Sequence, residues 1–73
     1  MSAPVQATFL VADVECEASA YATDGGWIGH VSLRRLANRR HFIRQLVVKG
    51  EHPSLQAFVD AARAAALAAL EAR

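Results

Sequence analysis

Apolar residues repeat with two different periods along the chain. From Thr8 to Tyr21 apolar and polar residues alternate, which is the period of a strand with one buried face. From Ser54 onward the apolar residues recur every three or four positions, which is the period of a helix, and they are Leu55, Phe58, Val59, Ala62, Ala66, Ala69 and Leu70. The pattern predicts an antiparallel sheet and then an alanine-rich C-terminal helix, entered at Pro53 and capped by Ser54 or His52.

A hairpin is predicted at Asp24-Gly25, a favoured two-residue turn. A turn there pairs Ala18 with Val31 on the buried face and Glu15 with Arg34 on the other face. The same register also pairs Cys16 with Leu33, Ala22 with Trp27, Glu17 with Ser32 and Ser19 with His30. Apolar meets apolar and polar meets polar throughout, which favours this register over its neighbours.

The segment from His41 to Lys49 fits a third strand that returns after a turn at Ala37-Asn38. Leu33 would then face Phe42. Two further apolar residues complete the inner face and one arginine interrupts it, namely Leu46, Val48 and Arg44.

The same region also fits a helix that begins at Ser32 and stops at Gly50. One side of that helix would carry Leu33, Leu36, Arg40, Ile43 and Val47. The strand is favoured because Phe42-Ile43 and Leu46-Val47-Val48 are rich in β-forming residues.

The predicted fold is α+β, with a three-stranded antiparallel sheet packed on one C-terminal helix in the order β-β-β-α. It forms a single domain over residues 1–73, of which 1–6 are a flexible N-terminus. Small residues of the sheet, Ala18, Ala20 and Gly29, are expected beneath the helix. Large side chains are expected to fill the edges: Trp27, Phe42, Phe58 and Leu70.

Three short segments carry a resemblance to known domains: Gly26-Trp27, Phe42-Ile43-Arg44-Gln45, and His52-Pro53-Ser54 before the alanine-rich helix. Over residues 14–70 they resemble small bacterial β-β-β-α domains of unknown function. The order of elements is also similar to the arm-binding domain of tyrosine integrases and the plant ethylene-response DNA-binding domain. Those two families read DNA through basic strands, whereas the first strand here presents Asp13, Glu15 and Glu17.

Charge is unevenly distributed although the formal net charge is only +1. Residues 1–33 contain no Lys or Arg, whereas a basic run follows: Arg34, Arg35, Arg39, Arg40, Arg44 and Lys49. A basic hairpin of this kind can grip phosphates, so nucleic-acid binding through Arg34–Arg44 is the alternative hypothesis. Glu15 and Glu17 are placed to neutralise part of the run across the strands, which favours internal pairing instead.

Self-association is the preferred hypothesis. The sheet face away from the helix would carry Tyr21, Ile28, Ile43 and Val47, a large apolar surface for a small monomer. A second alanine row is expected on the helix opposite its apolar stripe: Ala57, Ala61, Ala64, Ala68 and Ala72. The segment Val5–Ala12 lacks an obvious partner and is free to join another sheet. We therefore expect a homodimer whose contacts include Ile28, Ile43, Val47, Ala61 and Ala68.

No catalytic or metal motif is found in the sequence, and no cofactor is expected. His30 and Ser32 share a strand face but lack a predicted pocket, and His30, His41 and His52 lie on separate segments without ligand spacing. Cys16, the only cysteine, is predicted to lie in the core. The apolar tract around Ala64–Leu70 is too short to span a bilayer and Met1-Ser2-Ala3-Pro4 lacks the basic start of a secretory signal. The sequence thus predicts a cytoplasmic, non-enzymatic interaction domain.

Overall fold

A computed structural model describes residues 3–35 and 42–71, without the side chains of Arg35, Phe42 and Ile43. Four strands and one helix follow in order: β1 Val5–Val11, β2 Val14–Thr23, β3 Gly26–Arg35, β4 Phe42–His52 and α1 Leu55–Glu71. The strands form one antiparallel sheet in the order β1-β2-β3-β4. The α+β class and the C-terminal helix are confirmed, but the prediction of three strands is wrong because there are four.

The extra strand arises where one long first strand was predicted. Val11 and Val14 are register partners, and Ala12 between them adopts a positive φ of 56°. The chain therefore turns at Ala12-Asp13, which is not a favoured turn pair. The turn puts Phe9 opposite Cys16 on the helix side and Leu10 on the other side, where Leu10 is exposed.

The start of β1 differs from the sequence prediction in the same way. Val5 and Gln6, which the sequence placed in a flexible segment, are register partners of Ala20 and Ser19. The whole of β1 pairs with β2, so the segment Val5–Ala12 is not free to join another sheet along that side.

The hairpin between β2 and β3 is confirmed in full. Ala18 pairs with Val31 and Glu15 with Arg34. The turn lies between Thr23 and Gly26, which form the last pair of the hairpin. Gly26 has a φ of 151°, and a Cβ there would lie 2.1 Å from the carbonyl oxygen of His52. Glycine is therefore required where this turn meets the end of β4.

The strand interpretation of the third element is confirmed, and the alternative helix from Ser32 is wrong. The predicted partner of Leu33 is also wrong, since Leu33 pairs with Arg44 and Phe42 pairs with Arg34. The register shifts by one residue between Leu33 and Arg34, which contributes to the difference, and it shifts again between Gly29 and Trp27. Arg44 remains exposed on the helix side of β4. The predicted turn at Ala37-Asn38 lies outside the described residues.

The helix packs across one face of the sheet and Phe58 is at the centre of the contact. A Cβ at Gly29 would lie 3.0 Å from Phe58 Cζ, so the ring fills the space above this glycine. Phe58 is fully buried, although the sequence placed it at an edge. At the start of the helix the Ser54 hydroxyl accepts a hydrogen bond from the amide of Ala57 at 3.1 Å, which identifies Ser54 as the cap. The buried core is Val11, Val14, Cys16, Ala18, Ala20, Val31, Leu33, Val48, Phe58, Ala62 and Ala66.

Candidate interaction surface

One flank of the helix closes over β1. The guanidinium carbon of Arg63 lies 4.9 Å from the centre of the Phe9 ring, a cation–π contact that covers this edge of the core. Val59 and Leu70 lie on the same side of the helix as Arg63, because they are four and seven residues away, and both pack against the core. Large side chains therefore bridge the gap between helix and sheet at the β1 edge.

The opposite flank of the helix leaves a groove beside β4. Its volume is about 380 Å³. The helix contributes four alanines and the strand contributes four consecutive residues: Ala61, Ala65, Ala68 and Ala69, with Leu46, Val47, Val48 and Lys49. Alanine ends at Cβ, so this flank leaves space beside the strand although the helix runs close to β4. We call this space the β4–α1 groove.

The groove lies along an unpaired strand edge. β4 is the last strand in the sheet order, so within residues 3–35 and 42–71 one of its two sides has no strand partner. Val47 is the register partner of His30, so its side chain lies at the border of the groove on the sheet face away from the helix, where it is 78% exposed. An open edge with outward N–H and C=O groups is a template for pairing with another strand. Backbone groups and apolar surface are therefore available side by side.

The structure brings together three of the five residues predicted for self-association. Val47, Ala61 and Ala68 all line the β4–α1 groove. Ile28 is 42% exposed on the sheet face away from the helix, and the side chain of Ile43 lies outside the described residues.

The alanine row differs from its prediction in where it lies. It was expected opposite the apolar stripe, but Ala61 is half-buried and faces β4 at the margin of the stripe. Sequence analysis missed the part that Ala65 and Leu46 play in the groove. Ala65 lies four residues after Ala61, so the helical period is the signal that would have placed it on the same side of the helix.

The sheet face away from the helix divides into an apolar end and a charged end. Tyr21 and Ile28 are register partners at the apolar end, and the Tyr21 ring lies 6.1 Å from that of His30. At the other end Glu15 and Arg34 form an ion pair of 2.6 Å. Two serines, Ser19 and Ser32, lie buried between the two ends. Their short side chains separate the apolar end of this face from its charged end.

The basic run does not form one surface in the described part of the chain. Arg34 donates to Glu15 Oε1 through both Nε and Nη2, at 3.1 and 2.6 Å, on the face away from the helix. Arg44 pairs with the inward-facing Leu33 and so lies on the helix side, while Lys49 lines the groove. Arg39 and Arg40 lie outside the described residues, as does the Arg35 side chain. The internal pairing expected for Glu15 is confirmed.

The cysteine and histidines also have defined places. Cys16 is fully buried, as predicted, and burial raises the pKa of its thiol. The His52 ring packs edge-on against Phe58 on the helix side with 6.0 Å between ring centres, whereas His30 lies on the opposite face. His41 lies outside the described residues. Among the described residues no three His, Cys, Asp or Glu side chains are grouped so as to hold a metal ion.

Comparison with known proteins adds no family or relative. No family model, curated protein or solved structure matches the chain. Within residues 3–35 and 42–71, no helix is long and apolar enough to cross a membrane. The function has to be inferred from the chain's own surfaces, of which the β4 edge and its groove are the most distinctive.

Proposed function

We propose that this chain is a non-enzymatic, cytoplasmic interaction domain that self-associates through the β4 edge and the β4–α1 groove. The observation that carries the proposal is the position of an apolar groove directly beside an unpaired strand edge. Seven of the eight residues lining the groove are aliphatic and only Lys49 is charged. An added strand would gain main-chain hydrogen bonds from the edge and apolar contacts from the groove at once.

The small core gives a second reason for a partner. Four of the eleven buried apolar residues are alanines, which contribute little apolar area each: Ala18, Ala20, Ala62 and Ala66. At about 25 cal/mol per Å² of buried apolar surface, a core of this composition leaves a narrow margin over chain entropy. Association that buries Val47 and the alanine flank adds stability by mass action.

Two single substitutions on the helix test the location of this surface. Ala68→Glu puts a charge on the wall of the groove, whereas Leu67→Glu puts the same charge on an exposed position on the solvent side of the helix, outside the groove lining. Sedimentation velocity from about 10 μM to about 1 mM covers the range in which an interface of modest size associates. Circular dichroism of both variants checks that the fold is kept.

We expect the unmodified chain to move from monomer to dimer over this range. Ala68→Glu should raise the dissociation constant at least about tenfold, because a carboxylate in an apolar contact is costly to desolvate. Leu67→Glu should leave the constant within about twofold, as surface substitutions usually do. A monomeric unmodified chain at the highest concentration would overturn the proposal, and equal effects of the two substitutions would move the interface away from the groove.

A further inference from the structure

The regular part of β4 is complementary to a second copy of itself. We propose that two chains pair β4 with β4 in antiparallel orientation around a two-fold axis at Val47, joining two four-stranded sheets into one. This inference rests on the proposed self-association and specifies its partner, strand and register. It requires no movement of the described backbone, since the β4 edge is already open.

We choose the register that places apolar residues opposite apolar residues, and polar opposite polar, on both faces of the strand. With the axis at Val47, Leu46 lies opposite Val48 of the second copy on the helix side, so an apolar pair continues the layer beneath the helices. On the other side Gln45 lies opposite Lys49 of the second copy, and Val47 meets its own equivalent. Apolar therefore meets apolar and polar meets polar. The same criterion predicted the β2–β3 register, which the structure has.

Neighbouring registers fail this criterion. An axis at Leu46 would place Arg44 opposite Val48 on the helix side. An axis at Val48 would place Val47 opposite Lys49 and would extend the pairing into Gly50, where a φ of 88° interrupts the regular strand. An axis that falls between two residues would pair a residue from the helix side with one from the other side, which the pleat does not allow. Val47 is therefore the centre that suits the regular segment 45–49, with residue 44 and Gly50 outside the pairing.

Two-fold pairing also brings the two grooves together. An axis perpendicular to the sheet keeps both helices on the same face, so each groove opens toward the axis and the alanine flanks of the two helices approach each other. Small side chains on both flanks permit a close approach of the two helices. The void of about 380 Å³ in each chain is thereby covered by the other chain.

The charges on β4 are compatible with this arrangement. Lys49 and its equivalent are four residues apart along the paired strands, about 14 Å, and the two Arg44 residues are farther apart still. Both separations exceed a Debye length of about 8 Å at physiological ionic strength, so the like charges are largely screened. A paired edge of five residues, about 17 Å, with its groove lies at the small end of stable interfaces, so we expect a weak dimer.

Disulfide trapping tests the register directly. Residues facing each other across antiparallel strands have Cα atoms about 4.5 to 5.5 Å apart, within the range of a disulfide. Val47→Cys should therefore form a covalent dimer with oxidised glutathione at least about tenfold faster than Ile28→Cys, an exposed position on the same face away from the axis. Cys16 is fully buried and does not compete. Non-reducing electrophoresis and peptide mass spectrometry identify the linked residues.

A mixing experiment tests the same register at two other positions. Gln45→Cys and Lys49→Cys should cross-link when the two variants are mixed and only slowly when each is alone, because position 45 faces position 49 of the other copy. Cross-linking of Ile28→Cys at the rate of Val47→Cys would overturn the register and point to the open sheet face. A dimer by sedimentation without Val47→Cys trapping would refute this arrangement and leave self-association standing. A monomer throughout would refute both.

Discussion

The two outer strands of the sheet are covered by the same helix in different ways. At β1 the Phe9 ring lies beneath the Arg63 guanidinium, and this edge is closed by large side chains. At β4 the helix presents four alanines and leaves a groove of about 380 Å³ beside Val47, which is 78% exposed. Among the described residues both outer strands have one side without a strand partner, and the apolar groove lies next to β4.

The difference shows that side-chain size across one helix decides which edge stays open. The backbone of α1 crosses the sheet with Phe58 over Gly29 and runs closer to β4 than to β1. Arg63 nevertheless covers the Phe9 ring on the outer strand, whereas alanine ends at Cβ and leaves space beside β4. The alanine-rich composition, which favours the helix in isolation, therefore also creates the candidate interaction surface.

The largest expected contrast is in folding stability. Phe9→Ala should lower the free energy of unfolding by about 2 kcal/mol. This loss is smaller than for a fully buried phenylalanine, because Phe9 is half-buried. Val47→Ala should change it by under about 0.5 kcal/mol, since its side chain is mostly in water. Urea unfolding at low micromolar concentration, where dimer is scarce, measures both values. Equal losses would mean that the two edges are closed to the same degree.

A smaller effect is expected from Cys16, the register partner of Phe9 below the closed edge. Burial raises the pKa of its thiol, and a backbone hydrogen bond at Val11 and the positive charge of Arg63 offset this only in part. The unfolded chain then ionises at a lower pH than the native one. The stability difference between the unmodified chain and Cys16→Ala should therefore shrink as pH rises above about 8.5.

Alkylation provides a readout of the same burial that does not involve stability. At pH 8 the native chain should react with a thiol reagent at a rate set by unfolding, and Val47→Cys should contribute one additional fast thiol. A fast Cys16 in the native chain would contradict the closure of the β1 edge, as would a stability difference that is independent of pH.

The sequence predicts the centre of this fold better than its start. The β2–β3 register follows from the turn at Asp24-Gly25 and from the match of apolar with apolar and polar with polar residues on both faces. The first hairpin was missed because Phe9-Leu10-Val11-Ala12 is continuously apolar, so its alternation can be read on either face. Its turn places Ala12 at a φ of 56°. Glycine or asparagine usually marks such a conformation, and the turn Ala12-Asp13 contains neither.

Three of the five residues predicted for self-association line the groove, but its shape was not predicted. The strand and helix periods identify apolar residues at positions that should face water, and these include Val47, Ala61 and Ala68. Their convergence depends on where the helix crosses the sheet and on β4 being the last strand. The helix crossing follows from Phe58 packing over Gly29, a long-range contact that no local pattern specifies.

The concentration dependence of backbone amide shifts in solution NMR tests the difference between the two edges most directly. On raising the concentration from about 20 μM to about 1 mM, amides of residues 44–49 in β4 should shift and become protected from exchange as they gain partners. Amides of Val5–Val11 in β1 should remain unchanged. Shifts confined to β1 or to Tyr21 and Ile28 on the open face, or no shifts at all, would contradict the account.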